Sequence, residues 1–111
     1  MSADTSPDRL GDGVAVTRGD ALAHNLDRCT AALRAEGLSP HSWRNGPGER
    51  YPRHSHSYHK VLYCVSGSIG FHTDVGDAVL GAGDRLDLSA EVAHSATVGD
   101  DGVVCVEAAR L

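Results

Sequence analysis

The spacing of apolar residues predicts one helix near the start of the chain. Four apolar side chains recur at steps of four, three and four residues and form one stripe at helical period: Leu22, Leu26, Cys29 and Leu33. Asp20 is a favourable N-cap, Gly37 stands at the C′ position, and Pro40 prevents any continuation. We therefore predict a helix over residues 20–36.

After Pro40 the pattern changes to short runs of Val, Leu, Tyr and Thr separated by glycines. Such runs are typical of strands joined by tight turns, and their frequency favours an all-β barrel or sandwich over βαβ units. We predict strands within the segments 14–17, 60–67, 68–75, 77–83, 84–90, 93–99 and 102–111.

The length of 111 residues is enough for one domain with a single core. Residues 1–13 are rich in Asp, Ser, Gly and Pro and have little to bury, so we expect a disordered tail. Residues 14–39 then supply a short strand and the helix. Residues 40–111 supply the β-barrel.

Charge and composition exclude two classes of partner. The net charge of −5 disfavours nucleic acid, because phosphate binding needs clustered Lys and Arg. No apolar run reaches the roughly 20 residues that a membrane-spanning helix requires. The polar, acidic start of the sequence does not resemble a secretory signal, and three cysteines without a CxxC pair suggest reduced thiols in the core. We expect a cytoplasmic protein.

The densest group of chemically active side chains is the stretch YPRHSHSYHK, residues 51–60. In a strand, residues two apart face the same way, so the imidazoles of His54 and His56 can converge on one ion. A third ligand must come from another strand. His94 is the best candidate because it lies in a second strand-like segment after a turn.

The spacing around these histidines resembles the first motif of the cupin superfamily. That motif is Gly, five residues, His-x-His, three or four residues, Glu, six residues and Gly. Gly48, His54, His56 and Gly67 stand at the expected intervals, and Lys60 occupies the Glu position.

The second cupin motif is matched in spacing more closely than in residue type. It consists of Gly, five residues, Pro-x-Gly, two residues, His, three residues and Asn. Gly83 and His94 fit it, whereas Ser89, Glu91 and Val98 replace Pro, Gly and Asn. The two motifs together cover residues 48–98.

The resemblance implies a double-stranded β-helix of the RmlC-like type, a jelly-roll barrel, here with one N-terminal helix. It implies that His54, His56 and His94 occupy three metal-ligand positions inside the wider mouth. Small cupins usually pair through barrel edges or faces, so it also implies a homodimer. The stripe on the helix would then cap an open end of the barrel or pack across the dimer interface.

Lysine in place of the motif Glu leaves three roles open for Lys60. The side chain turns away to the barrel mouth, stays as a base or metal ligand with a depressed pKa, or stays charged and binds an anionic group of the substrate. His59 is the other candidate fourth ligand, but strand parity points it away from Lys60 unless a bulge reverses the register. Tyr58 is expected to point inward, as a proton donor or as packing.

Three imidazoles suit a divalent transition metal, namely zinc, iron(II), nickel or copper, and a three-ligand site with an open position is typical of reactive centres. The first hypothesis is therefore a metal-dependent enzyme acting on a small polar or anionic metabolite, as a dioxygenase, an isomerase or cyclase, or a biosynthetic tailoring enzyme. The second is a non-catalytic cupin that binds a small molecule or metal as a sensor or accessory module. The third is a barrel without a surviving site.

Overall fold

A computed structural model describes residues 7–20 and 25–111, which form eight strands and one helix. In chain order they are β1 (Asp8–Gly11), β2 (Val14–Thr17), α1 (Leu26–Ala35), β3 (His41–Asn45), β4 (Arg50–His54), β5 (His59–Thr73), β6 (Gly76–Gly81), β7 (Arg85–Leu88) and β8 (His94–Arg110). No helix within these ranges is long and apolar enough to cross a membrane.

All strands pair antiparallel, and the two long strands, β5 and β8, each pair with three others, as in a jelly roll. The path runs β1-β2-β7-β5-β8-β3, while β4 pairs with the first part of β8 and β6 with the last part of β5. Each long strand therefore belongs to both layers of the barrel. The sequence pattern predicted two strands in place of β5 and two in place of β8, because the glycines inside these strands are typical of turns.

The corner at which β5 changes layers is made by glycine. The pairing of β5 with β8 shifts register between Cys64 and Ser66 and again between Gly67 and Ile69. Gly67 has φ +75°, and a Cβ atom there would lie 2.0 Å from the carbonyl oxygen of Gly102. Only glycine allows the two backbones to approach so closely while the strand bends.

Strand alternation divides the apolar residues into an inner and an outer cluster. In β5, Leu62 and Cys64 belong to the inner core, whereas Val61 lies on the outer face. Side chains from both layers fill the inner core, including Val14, Ile69, Phe71, Leu80, Leu86, Leu88, Ala96 and Cys105. All three cysteines are free and buried, as predicted for core thiols.

The helix begins later than predicted. Its N-cap is Asn25, whose side chain accepts a hydrogen bond of 2.9 Å from the backbone nitrogen of Arg28, so the prediction of Asp20 as N-cap is wrong. The predicted end is confirmed. Gly37 has φ +80° and donates to the carbonyl of Arg34, and Leu38 donates to Leu33, which together form a Schellman motif.

Helix α1 covers the outer face of the barrel and does not close an open end. Cys29 and Leu33 are fully buried against Val61, Val106 and Ala108 of β5 and β8. Of the other two residues in the predicted stripe, Leu26 is exposed and Leu22 lies outside the described residues.

The tail predicted over residues 1–13 is ordered in part. Residues 8–11 form β1, which pairs with β2, and Leu10 packs against the core, so the prediction of disorder is wrong there. Residues 1–6 lie outside the described residues. The polar composition gave no sign of β1. One partly buried leucine and the hydrogen bonds to β2 are enough to hold this strand in place.

Candidate metal site

The fold brings His54, His56 and His94 together, as predicted. His54 ends β4 and His94 begins β8, and the two are direct cross-strand partners. The ring centroids of His54 and His94 lie 4.4 Å apart, and His56 lies 4.8 Å from His54 and 5.2 Å from His94. One nitrogen of each ring lies within 4.8 Å of the other two, so the group could hold a metal ion.

The route by which His56 reaches the cluster differs from the prediction. His56 lies in the loop 55–58 after β4, not two residues along a continuous strand from His54. The backbone nitrogen of Glu91 fixes this loop by donating a hydrogen bond of 2.7 Å to the carbonyl of His56. The turn before His94 thus holds the loop that carries His56.

Glu91 adopts the backbone conformation that the cupin motif assigns to glycine. Its φ is +67°, the one positive value among the described non-glycine residues. Left-handed backbone is unfavourable for a side chain with a Cβ atom. The turn keeps its shape although the glycine is absent, because the hydrogen bond to His56 and the strand that starts at His94 constrain it.

Backbone hydrogen bonds orient two of the imidazoles. Nδ1 of His54 lies 2.7 Å from the carbonyl of Pro52, and Nδ1 of His94 lies 2.9 Å from the carbonyl of Val92. A carbonyl can only accept, so Nδ1 carries the proton in both rings and Nε2 presents its lone pair. This is the usual way in which a protein prepares a histidine to bind a metal through Nε2.

Two imidazole nitrogens in the cluster are buried without a partner. Within the described part of the chain, no hydrogen bond reaches Nε2 of His56 or Nε2 of His94. An unsatisfied buried polar atom is costly, and native proteins contain few of them. A cation bound between the rings would satisfy both atoms, so the residues present fit a metal ion.

The surroundings of His56 and His94 favour the neutral form of both rings. Burial, followed by the positive charges of Lys60 and His54, lowers the pKa of His56 below its ordinary value of 6.5. Burial is also the main cause of the lowered pKa of His94, with further contributions from His54, Lys60 and His56. Neutral imidazole is the form that binds metals.

The three histidines open into a cavity of about 370 Å³ inside the barrel. Its walls are largely apolar and come from both layers of the barrel: Trp43, Tyr51, Ile69, Phe71 and Ala96. The remaining polar side chains that line it are His41, Lys60 and Glu107. This combination of apolar walls and a few convergent polar groups is typical of small-molecule sites.

Lys60 points into this cavity and is paired with Glu107. The Lys60 side chain is 9 % exposed, and Nζ lies 3.4 Å from Oε2 of Glu107 and 5.7 Å from the ring centre of Phe71. Trp43 donates a hydrogen bond of 2.5 Å from Nε1 to Oε1 of Glu107. Of the three roles left open for Lys60, the one in which the side chain turns away to the barrel mouth is therefore not realised, and the two inside the cavity remain.

Of the other two predicted site residues, Tyr58 lies against the histidine cluster and His59 lies outside it. Tyr58 stacks on His56 with ring centroids 4.8 Å apart, and burial together with the charge of Glu107 raises its pKa above 10.0. His59 faces outward, as parity indicated. Its Nε2 lies 3.0 Å from Oδ1 of Asp87, and the structure does not bring it into the histidine cluster.

Trp43, Tyr51 and Glu107 are among the cavity residues that were not predicted as part of the site. Trp43 and Tyr51 lie on β3 and β4, two strands that the pattern did not predict because their sequences, HSWRN and RYPRH, are largely polar. Glu107 carried the signal that could have revealed it. It is a lone acid in the otherwise apolar run VVCVEAA, and such a residue in a buried strand needs a partner.

Comparison with known families gives one match along the sequence. The family described as "AraC-like ligand binding domain" matches residues 37–105, which include all three histidines and Lys60. No curated protein matches the sequence.

Solved structures share the fold at low sequence identity. An RmlC-like cupin from Shewanella frigidimarina NCIMB 400 is 22 % identical, with a TM-score of 0.58, over 95 % of this chain and 82 % of that one. The DMSP lyase DddQ from Ruegeria pomeroyi DSS-3 is 20 % identical (TM-score 0.62) over 67 % of this chain and 38 % of that one. The Fe(II) form of HppE is 16 % identical (TM-score 0.56) over 69 % and 44 %. These likenesses confirm the cupin fold predicted from the two motifs.

Proposed function

We propose that this chain, which belongs to the AraC-like ligand binding domain family, is a metal-dependent enzyme. Its substrate would be a small polar or anionic metabolite bound in the barrel cavity, with the metal held by His54, His56 and His94. The observation that carries the proposal is the pair of buried, unsatisfied Nε2 atoms of His56 and His94, which face an open cavity together with His54.

The metal would be zinc, iron(II), nickel or copper, because these ions accept imidazole ligands readily. Such an ion acts as a Lewis acid on a ligand oxygen, and iron or copper adds redox chemistry with dioxygen. The identity of the ion therefore selects between the dioxygenase class and the isomerase, cyclase or tailoring classes. Two solved neighbours of the same fold, a DMSP lyase and an Fe(II) protein, illustrate that breadth.

The chain's own residues supply binding and proton control around that ion. The ammonium of Lys60 is placed to hold negative charge on a ligand, and the largely apolar walls exclude water and strengthen that attraction. A tyrosine is protonated at neutral pH, and burial raises the pKa of Tyr58 further, so Tyr58 would act as a donor of a proton and not as a base.

The test is metal analysis of the purified protein with single histidine variants. We expect about one transition-metal ion per chain, and we expect His54→Ala, His56→Ala and His94→Ala each to lose it. His59→Ala is the matched control, because this outward histidine is paired with Asp87 and should leave the metal content unchanged. Full metal content in all three cluster variants would refute the metal site.

A second function is favoured by the description of the family as a ligand binding domain. In that case the protein binds a small molecule or a metal without converting it, as a sensor or accessory module. A metabolite screen by thermal shift, followed by mass spectrometry of each hit after incubation, separates the two. Conversion of a hit that requires His94 supports the enzyme, whereas binding without conversion supports the module.

We also propose a homodimer and a cytoplasmic location. Small cupins pair through barrel edges or faces, and light scattering should give twice the chain mass of 11.6 kDa. A monomeric mass would contradict the dimer. The three free, buried thiols fit a reducing compartment.

A further inference from the structure

The cavity that the histidines line also contains an ion pair, Lys60 with Glu107, in which the ammonium group has hydrogen-bond donors left over. Lys60 is the sole lysine of the chain, and its side chain is 9 % exposed. Its ammonium group has three donors, and in the described part of the chain its one ionic partner is Glu107, at 3.4 Å. At that distance the contact is an ion pair more than a hydrogen bond, so the donors remain available to a ligand.

Glu107 is held on both of its oxygens and is therefore part of the wall. Oε1 accepts the hydrogen bond from Trp43, and Oε2 faces Lys60. The carboxylate partly balances Lys60 and keeps the ammonium inside the cavity. It also places a fixed negative charge beside the position that a ligand of Lys60 would take.

The charges of the cavity favour an anionic ligand, and the position of Glu107 beside Lys60 favours one carboxylate there instead of two. Three neutral imidazoles leave the full charge of a divalent ion, and the Lys60–Glu107 pair adds no net charge. In surroundings of low dielectric constant this excess attracts an anion. A second carboxylate close to the first would meet Glu107 and be repelled.

The walls of the cavity indicate the rest of the ligand. Phe71 forms the wall beside the Lys60 ammonium, and Trp43 and Tyr51 form an edge-to-face pair with ring centroids 5.8 Å apart. Such surfaces favour a flat or compact apolar body. The volume of about 370 Å³ lies near the lower end of the range for small-molecule sites, so the ligand is small.

Building on the proposed metal site, we propose that the ligand is a small monocarboxylate with an apolar body. Its carboxylate lies between Lys60 and the histidine cluster, and its body packs against Phe71, Trp43 and Tyr51. This assigns Lys60 to the recognition of the ligand.

Calorimetric titration of the zinc-loaded protein with three probes tests this ligand class. Benzoate carries one carboxylate on a flat ring, benzamide is its neutral counterpart, and phthalate adds a second carboxylate next to the first. We expect benzoate to bind at least tenfold more tightly than either of the others. Equal binding of benzoate and benzamide, or no binding of benzoate to zinc-loaded protein, would overturn the proposal.

The variant Lys60→Met keeps the length of the aliphatic stem and removes the charge. We expect it to lose the preference for benzoate over benzamide while it still binds zinc, because repulsion between the ammonium and the ion is gone. Arg44→Met is the matched control. It makes the same change in net charge at an exposed position of β3, next to Trp43, and should keep the preference.

A separate readout distinguishes failure of the ligand class from failure of the metal site. Because the chain has one lysine, ¹⁵N-lysine labelling gives a single side-chain amine signal. If zinc does not bind but benzoate, and not benzamide, shifts that signal, the metal function fails and the ligand class stands. If zinc binds and benzoate leaves the signal unchanged, the ligand class fails and the metal function stands.

Discussion

Glu91 is the residue on which the geometry of the turn before His94 depends most directly. It holds φ at +67° and donates the backbone hydrogen bond that fixes the loop of His56. A left-handed conformation costs a non-glycine residue roughly 1–2 kcal/mol. Part of that cost is offset because glutamate loses less backbone entropy than glycine does when the chain folds.

Replacing Glu91 with Gly should therefore stabilise the protein. We expect Glu91→Gly to raise the free energy of unfolding by up to about 1 kcal/mol, because the strain disappears and the backbone hydrogen bond remains. Chemical denaturation measures this change in the free energy of unfolding. The control Glu49→Gly changes an exposed glutamate without positive φ and should lower the same free energy by about 0.5–1 kcal/mol. Destabilisation of similar size in both variants would contradict the strain argument.

The lowered pKa values of His56 and His94 set the pH range of metal binding. Protons and metal ions compete for the same imidazole nitrogens. Because the pKa values of His56 and His94 are lowered, protons compete for these two rings only at lower pH than in an ordinary histidine. We expect zinc affinity to be nearly constant from pH 8 to pH 7 and to fall steadily below 6.5, as measured by competition with a chelator. A loss of affinity that begins above pH 7 would contradict the shifts.

The same shifts affect the stability of the metal-free protein with a definite sign. A histidine with a lowered pKa in the folded state binds fewer protons there than in the unfolded chain. Its contribution to stability is complete above pH 6.5 and is lost as the pH falls through the folded value. The free energy of unfolding should thus decrease from pH 7 toward lower pH, and His94→Ala should reduce that dependence.

At the scale of elements, the fold depends on the corner at which β5 crosses from one layer to the other. Two features combine at Gly67, a positive φ of +75° and a backbone contact with Gly102 that leaves no room for a methyl group. The crossing places the metal-site half of β8 against one part of β5 and Glu107 against the other. The cavity exists because one pair of strands serves both layers.

Gly67→Ala should be among the most damaging small substitutions in the chain. Its Cβ atom would lie 2.0 Å from the Gly102 carbonyl oxygen, so a backbone must move, and we expect a loss of about 3 kcal/mol or more in stability. Gly37→Ala is the matched control, with φ +80° but no atom within 4 Å of the added carbon. It should cost only about 1 kcal/mol, from backbone strain. Thermal unfolding measures the loss of stability in both variants. Equal losses would show that the backbone moves enough to relieve the clash at Gly67.

At the scale of the whole molecule, β5 and β8 pack on both of their faces. The inner faces of β5 and β8 build the core and the cavity, and their outer faces bind α1 through Cys29 and Leu33. Lys60 and Glu107 therefore lie on strand segments that are packed on both faces. Rigid support of this kind lets ligand side chains keep their geometry.

Metal binding should stabilise the entire barrel, because the three ligands join β4, the loop after it and β8. Zinc at about 100 times its dissociation constant adds roughly 2.7 kcal/mol to the folded state. For a domain of this size we expect the melting temperature to rise by on the order of 10 °C. His94→Ala should lose this shift and His59→Ala should keep it. A rise that survives in His94→Ala would place the zinc elsewhere.

The sequence by itself determined the fold class, the end of the helix and the identity of the histidine cluster. Local backbone chemistry fixes such features, since a left-handed glycine ends a helix and alternation in β5 orients Lys60, Leu62 and Cys64. The resemblance of two stretches to the cupin motifs implied that His94 meets His54 and His56, and the structure brings the three together although several motif residues differ.

Only the tertiary structure decided what surrounds the cluster. Glu107 reaches Lys60 from β8, 47 positions further along the chain, and Trp43 reaches Glu107 from β3, so no local pattern could pair them. The polar strands β3 and β4 form because long-range hydrogen bonds to β8 hold them, whereas β1 is held by a local hairpin with β2, and none of the three depends on its own apolar content. The cavity likewise lies between side chains from both layers of the barrel, so its shape depends on how distant parts of the chain pack together. Short-range sequence patterns contain no information about that packing.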